Sequence, residues 1–113
     1  MKQYCLALDL VNDPVLIREY ETYHNKLWPE ITKSIRDSGI INMRIYRVSN
    51  RLTMIIQATD DFTFEKKTAL DKGNTKVQEW ERLMWKYQAA LPGAAPGEKW
   101  MLMDCIFDLE ING

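Results

Sequence analysis

The tightest constraint in this sequence is a pair of strand-like runs with almost nothing between them. Ile41 to Val48 and Leu52 to Ala58 both read as β-strands, and only Ser49-Asn50-Arg51 separates them. A link that short and turn-prone makes the two an antiparallel hairpin. In the second run Leu52, Met54, Ile56 and Ala58 share one face, while Thr53, Ile55 and Gln57 share the other. One face of the hairpin is therefore marked for a core.

The rest of the chain is arranged around that hairpin. Tyr4 to Val11 alternates Tyr4, Leu6, Leu8 and Leu10 against Cys5, Ala7, Asp9 and Val11. Both faces of this first strand are largely apolar, so both call for cover. Asp13 then suits a helix N-cap and Pro14 its first residue. Leu16, Tyr20, Leu27, Ile31 and Ile35 continue a helical stripe that Pro29 interrupts, giving two helical pieces closed by Gly39. Beyond the hairpin, Asp60 and Asp61 suit a second helix start. That helix loosens near Gly73-Asn74 and resumes through Val77, Trp80, Met84 and Trp85 as far as Leu91. Residues 92–97 read as a loop, and Trp100 to Leu109 as the last strand.

The order β-α-β-β-α-β is the ferredoxin-like α+β pattern, a four-stranded antiparallel sheet with its helices on one face. The uncovered face would still present apolar side chains from the first strand, which proteins usually hide. A homodimer packed sheet to sheet, a dimeric α+β barrel, is the expected solution.

Composition narrows the function classes. A chain of 113 residues is one domain, and a net charge of −1 gives no basic excess for nucleic acid. No apolar run approaches membrane-span length, and Asp9 interrupts the short apolar start, which makes a poor signal peptide. Cys5 and Cys105 form no disulfide framework; they are expected to be reduced, buried thiols, with the cytoplasm as the address. No phosphate-binding glycine loop, metal-spaced cluster or nucleophile elbow is present, so no cofactor is implied.

One stretch can carry chemistry. Tyr20 and the only histidine, His24, are four residues apart and share a helix face. The residues alone leave two readings open, a packed core histidine or an acid/base group. Trp28 and Trp80 read as core, and Trp100 as core or site wall.

The string Tyr20-x-x-x-His24-Asn25-x-x-Trp28-Pro29-Glu30, with the later Trp85-Lys86-Tyr87, resembles the L-rhamnose mutarotase family over nearly the whole chain. The resemblance implies a dimeric α+β fold and anomer exchange of a reducing sugar without a cofactor. It further implies His24 as the proton-transfer residue, with Tyr20 and Trp85 contacting the sugar. The family pairs two tryptophans where this chain has Met84 and Trp85, and places an aromatic residue where this chain has Met43. Met43 and Met84 thus fall in the implied pocket, as substrate-binding positions that bear on the sugar. L-rhamnose is the first expectation and L-fucose the second. A cofactor-free monooxygenase and a non-enzymatic ligand-binding dimer are the alternatives from other classes.

Overall fold

In the computed structural model, which describes all residues from Met1 to Gly113, the hairpin forms as expected. β1 (Lys2–Leu10) lies beside it. β2 (Ile40–Val48) and β3 (Arg51–Ala58) pair antiparallel, and Ser49 takes the left-handed turn conformation at φ 54°. The pairing of β1 with β3 runs from Lys2 opposite Ala58 to Asp9 opposite Arg51. This register sets Leu6 against Met54 and Leu8 against Leu52, so the apolar positions of both strands share one face. Those four side chains are buried.

The helices cover that face. Asp13 caps α1 (Pro14–Asn25), its Oδ1 accepting the Val15 N–H at 2.8 Å. Pro29 opens α2 (Pro29–Asp37), so the helix is split where the sequence predicts. Gly39 then reverses the chain at φ 98°, where a Cβ would meet Thr59 Oγ1 at 2.9 Å. α3 (Phe64–Lys72) and α4 (Thr75–Trp85) follow the hairpin, capped by Thr63 and Asn74. Leu10, Leu52, Tyr20, Ile31, Val77 and Trp80 belong to one buried cluster that ties the sheet to α1, α2 and α4. The fold is ferredoxin-like α+β.

The second half departs from expectation in three places. Asp60 and Asp61 do not start α3; Asp61 accepts the Thr59 hydroxyl at 2.6 Å, and Thr63 is the cap. α4 stops at Trp85 rather than Leu91, because Tyr87 turns back to the sheet and its carbonyl accepts the Val11 N–H at 2.8 Å. The fourth strand is not a continuous run from Trp100 to Leu109. β4 (Gln88–Ala89) pairs with Asp9 and Leu10, and β5 (Met101–Leu102) pairs with Leu6 and Ala7. The two pieces share one edge of β1, with residues 90–100 looping out between them. Pairing ends at Met103, whose N–H donates to the Cys5 carbonyl at 2.7 Å, and α5 (Leu109–Asn112) is a short terminal turn.

Beyond the ladder, the side chains have nothing of their own chain to cover them. Ile106 is 95% exposed and Ile111 80%. Cys105 is exposed and Cys5 half-buried, both as free thiols, so the expectation of two buried cysteines fails for Cys105.

Candidate active site

α1 places Tyr20 and His24 on its buried side, one turn apart. The His24 Nδ1 lies 2.8 Å from the Tyr20 carbonyl oxygen. A carbonyl can only accept, so Nδ1 carries the proton and Nε2 of the neutral ring holds the free lone pair. Burial pushes the His24 pKa down, with the hydrogen bond to Tyr20 opposing. At neutral pH the ring is therefore a neutral base. It stands 4.3 Å from the Tyr20 ring, and the Trp80 indole meets it edge to face at 5.5 Å. Burial also pushes the Tyr20 phenol up to about 12; a hydrogen bond with Gln88 opposes this and the nearby Glu81 charge adds to it. Tyr20 thus remains a protonated donor.

These groups open onto a cavity of about 290 Å³ between the sheet and the helices. Such a volume is near the lower bound of roughly 300 Å³ for small-molecule sites, which suits a monosaccharide-sized ligand. Met43, Met54 and Ile56 form its sheet side, and Trp80 and Met84 its α4 side. Trp100 also lines the cavity and packs on both core clusters, so it is wall and core together.

Four of the five residues singled out in the sequence, Tyr20, His24, Met43 and Met84, line one space. Trp85 does not. It is 40% exposed and lies under the Lys99 ammonium, 4.6 Å from the ring centroid. Helix geometry explains the separation, because Trp80 and Met84 are four residues apart and face inward together, and the next residue is rotated by about 100°. Asn25 ends α1 and leads to Lys26 as its C-cap. Lys67, Asp71 and Gln88 also line the cavity without having been singled out. The sequence of α3 gave no signal of this, since its apolar Leu70 is 53% exposed while the charged Lys67 and Asp71 face the cavity. Gln88 carried none, because it read as part of a helix.

An antiparallel α+β sheet roofed by helices holds one neutral histidine on a small lined cavity, an arrangement chemically able to exchange protons with a small polar molecule. The sequence model of the family described as L-rhamnose mutarotase matches residues 3–109. The chain belongs to that family, whose members are carbohydrate isomerases. It is 42% identical over 111 residues to a protein named L-fucose mutarotase from Xanthomonas campestris pv. campestris, covering 96% of this chain and 89% of that one. An L-rhamnose mutarotase of Paraburkholderia phytofirmans is 27% identical over 93 residues, covering 80% of this chain and 79% of the relative. The crystal structure of an L-rhamnose mutarotase from Formosa agariphila superposes with a TM-score of 0.72 at 17% identity, over 96% of this chain and 99% of that one.

Proposed function

We propose that this protein interconverts the α and β anomers of a free 6-deoxyhexose, with His24 as the proton carrier. The observation that supports it most is the His24 tautomer: the Tyr20 carbonyl holds the proton on Nδ1 and leaves Nε2 as a free base on a cavity-lining residue. Nε2 takes the proton of the anomeric hydroxyl. The C1–O5 bond breaks as O1 becomes a carbonyl oxygen, and the imidazolium returns the proton to O5. Rotation about C1–C2 turns the other aldehyde face towards O5, and the same steps reversed close the ring as the other anomer. The Tyr20 phenol, protonated throughout, donates a hydrogen bond to the sugar. Met43 and Met84 form its apolar walls.

L-fucose is the preferred substrate in this reading, with L-rhamnose second. The 42% identity to the protein named L-fucose mutarotase supports that order, which reverses the one expected from the sequence. Both methionines stand where the family implies aromatic side chains, and they fit a changed sugar. NMR saturation transfer between anomeric protons, over a panel of free sugars, tests the reading. Faster exchange for L-fucose than for L-rhamnose is expected; no acceleration for any 6-deoxyhexose would refute it. The oxygenase alternative gains no support from relatives that are named mutarotases.

Two copies pair through the sheet face opposite the helices, and the exposed apolar side chains Tyr46, Val48 and Met103 support this. No helix is long and apolar enough to cross a membrane. Two free thiols fit a reducing compartment, and we place the protein in the cytoplasm on that basis.

A further inference from the structure

The cavity holds hydrogen-bonding capacity that proton transfer does not use. Only two buried side-chain polar atoms lack a partner, Asp71 Oδ1 and Gln88 Oε1. Both residues line the same cavity as Tyr20 and His24. Buried acceptors are nearly always satisfied, and an unmet one costs more than a typical bond gains. Their surroundings hold these two in place. Asp71 Oδ2 accepts Lys67 Nζ at 2.6 Å, and the Asp71 backbone carbonyl accepts Gln78 Nε2 at 2.8 Å. Gln88 is only 7% exposed, and its backbone is paired across from Leu10.

α3 shows that the arrangement is not an accident of packing. Phe64, Lys67, Thr68 and Asp71 follow the i, i+3, i+4, i+7 spacing and all line the cavity, although three of the four are polar. A helix built only to close a core would turn Leu70 inward and these residues out. Reversing a local rule in this way is expected at functional sites.

We propose that Asp71 and Gln88 are substrate-binding residues, two acceptors completed by hydroxyl hydrogens of the sugar. The proposal rests on the mutarotase reading and assigns the hydroxyls that reading leaves over. In a 6-deoxyhexose the O1 hydroxyl goes to His24, and those at C2, C3 and C4 remain as donors. Gln88 lines the cavity together with Tyr20 and His24, so it takes the hydroxyl next to C1, at C2. Asp71 comes from α3, packed on α4, and takes the hydroxyl across the ring, at C4. L-fucose and L-rhamnose differ in configuration at C2 and C4, so these two acceptors bear directly on which sugar is held.

The test compares KM and kcat for anomer exchange in the native protein, Asp71→Asn and Gln88→Met. The substrates are L-fucose, L-rhamnose and the 2-deoxy and 4-deoxy forms of L-fucose. A bond to a charged acceptor predicts a KM about 10- to 100-fold higher for Asp71→Asn, and a neutral one about 3- to 10-fold higher for Gln88→Met, with kcat nearly unchanged. The melting temperature of Gln88→Met should hold or rise, because an unmet buried acceptor is removed, whereas Asp71→Asn also gives up the charge that pairs with Lys67 and should melt lower. The 4-deoxy sugar should lose affinity on the native protein and nothing further on Asp71→Asn; the 2-deoxy sugar should behave likewise with Gln88→Met. Folded variants with native KM values would overturn the proposal, and acceptors filled only by water give that result. If a variant does not fold, the native protein still decides: unchanged KM for both deoxy sugars overturns the assignment. A native protein that exchanges no 6-deoxyhexose brings down the mutarotase reading and this proposal together. Native activity with indifferent variants removes this proposal alone.

Discussion

The two faces of the one sheet are built from alternate residues of the same strands and have opposite fates. On one, Leu6, Leu8, Leu52 and Ile56 are buried beneath helices. On the other, Ile55 lies opposite Cys5 and Arg44 with only partial cover, and Tyr46 and Val48 are exposed. The Arg51–Asp9 pair at 2.7 Å dresses the edge of that second face, but exposed ion pairs stabilise little. Where the helices lie, apolar surface encloses both a core and a cavity lined by His24. Where they do not, apolar and polar groups are mixed: Tyr46 and Val48 are exposed on the same face as Arg44 and Arg51. Period-2 alternation lets each face be changed without touching the other, so the contrast can be tested residue by residue.

The largest effect is expected on the helix-covered face. A positioned acid/base contributes on the order of 10²–10⁴ in rate, so His24→Ala should slow anomer exchange by that range and leave the assembly state unchanged. A destabilised variant with a native rate per folded molecule would instead make His24 a packing residue. The pH profile sharpens this. Burial holds the His24 pKa below its ordinary 6.5, so the neutral base persists below that pH and the rate falls only as pH drops through the depressed value. Stability follows the same sign. The unfolded chain takes up the proton near 6.5 and the folded chain resists it, so this contribution is whole above 6.5 and is lost on acidification. His24→Gln should remove both acid limbs. Tyr20, held at about 12, should produce no alkaline limb below pH 10.

The opposite face should respond in assembly rather than chemistry. Ile55→Lys places an ammonium at the centre of the uncovered face and should leave circular dichroism unchanged while shifting sedimentation from dimer to monomer. A stable pairing should bury at least about 1,200 Å² in total. If the native chain already sediments as a monomer at micromolar concentration, the pairing is wrong and the exposed apolar side chains need another explanation.

Tyr20→Phe is the intermediate case, since it keeps the ring against His24 and removes one hydroxyl. The expected loss is about 3- to 10-fold in kcat/KM, well short of that for His24→Ala. Equal losses in the two variants would give the phenol a share in proton transfer itself.

How much of this was legible depended on the length of each pattern. The hairpin, the split at Pro29 and the caps at Asp13 and Gly39 are local signals repeated over many residues, and all are present in the structure. β4 and β5 are two residues each and cannot show a period, so neither the return to the sheet after Lys86 nor the break in the last strand is visible in the sequence, while the loop at residues 92–97 is. Helical spacing put Tyr20 and His24 on one face, and only the resemblance to a family gave them roles. Gln88 could not be singled out, because a buried amide matters only once the fold shows that nothing answers it. Trp85 is the converse case: the family resemblance implies it as a sugar contact beside Met84, and in this chain the helix turns the two neighbours apart.

The smallest expected effect lies within the cavity, at Met43 on β2 and Met84 on α4. Methionine supplies a flexible, polarizable wall in place of a flat ring, and so adapts to more than one sugar shape. Met43→Tyr with Met84→Trp should add stacking surface and consume volume in a space of about 290 Å³. Met84 is buried and Met43 half-buried, so the double change also risks overpacking of about 1–3 kcal/mol, which a melting curve measures directly. If the methionines set the preference, the ratio of kcat/KM for L-fucose to that for L-rhamnose should fall by a few-fold towards L-rhamnose, since both sugars meet the same reshaped apolar wall and only the difference between them counts. A ratio unchanged in a folded double variant would mean that the walls only enclose the sugar. Selection would then rest with the polar groups of the cavity, and the helix-covered face would owe its specificity to hydrogen bonds rather than to shape.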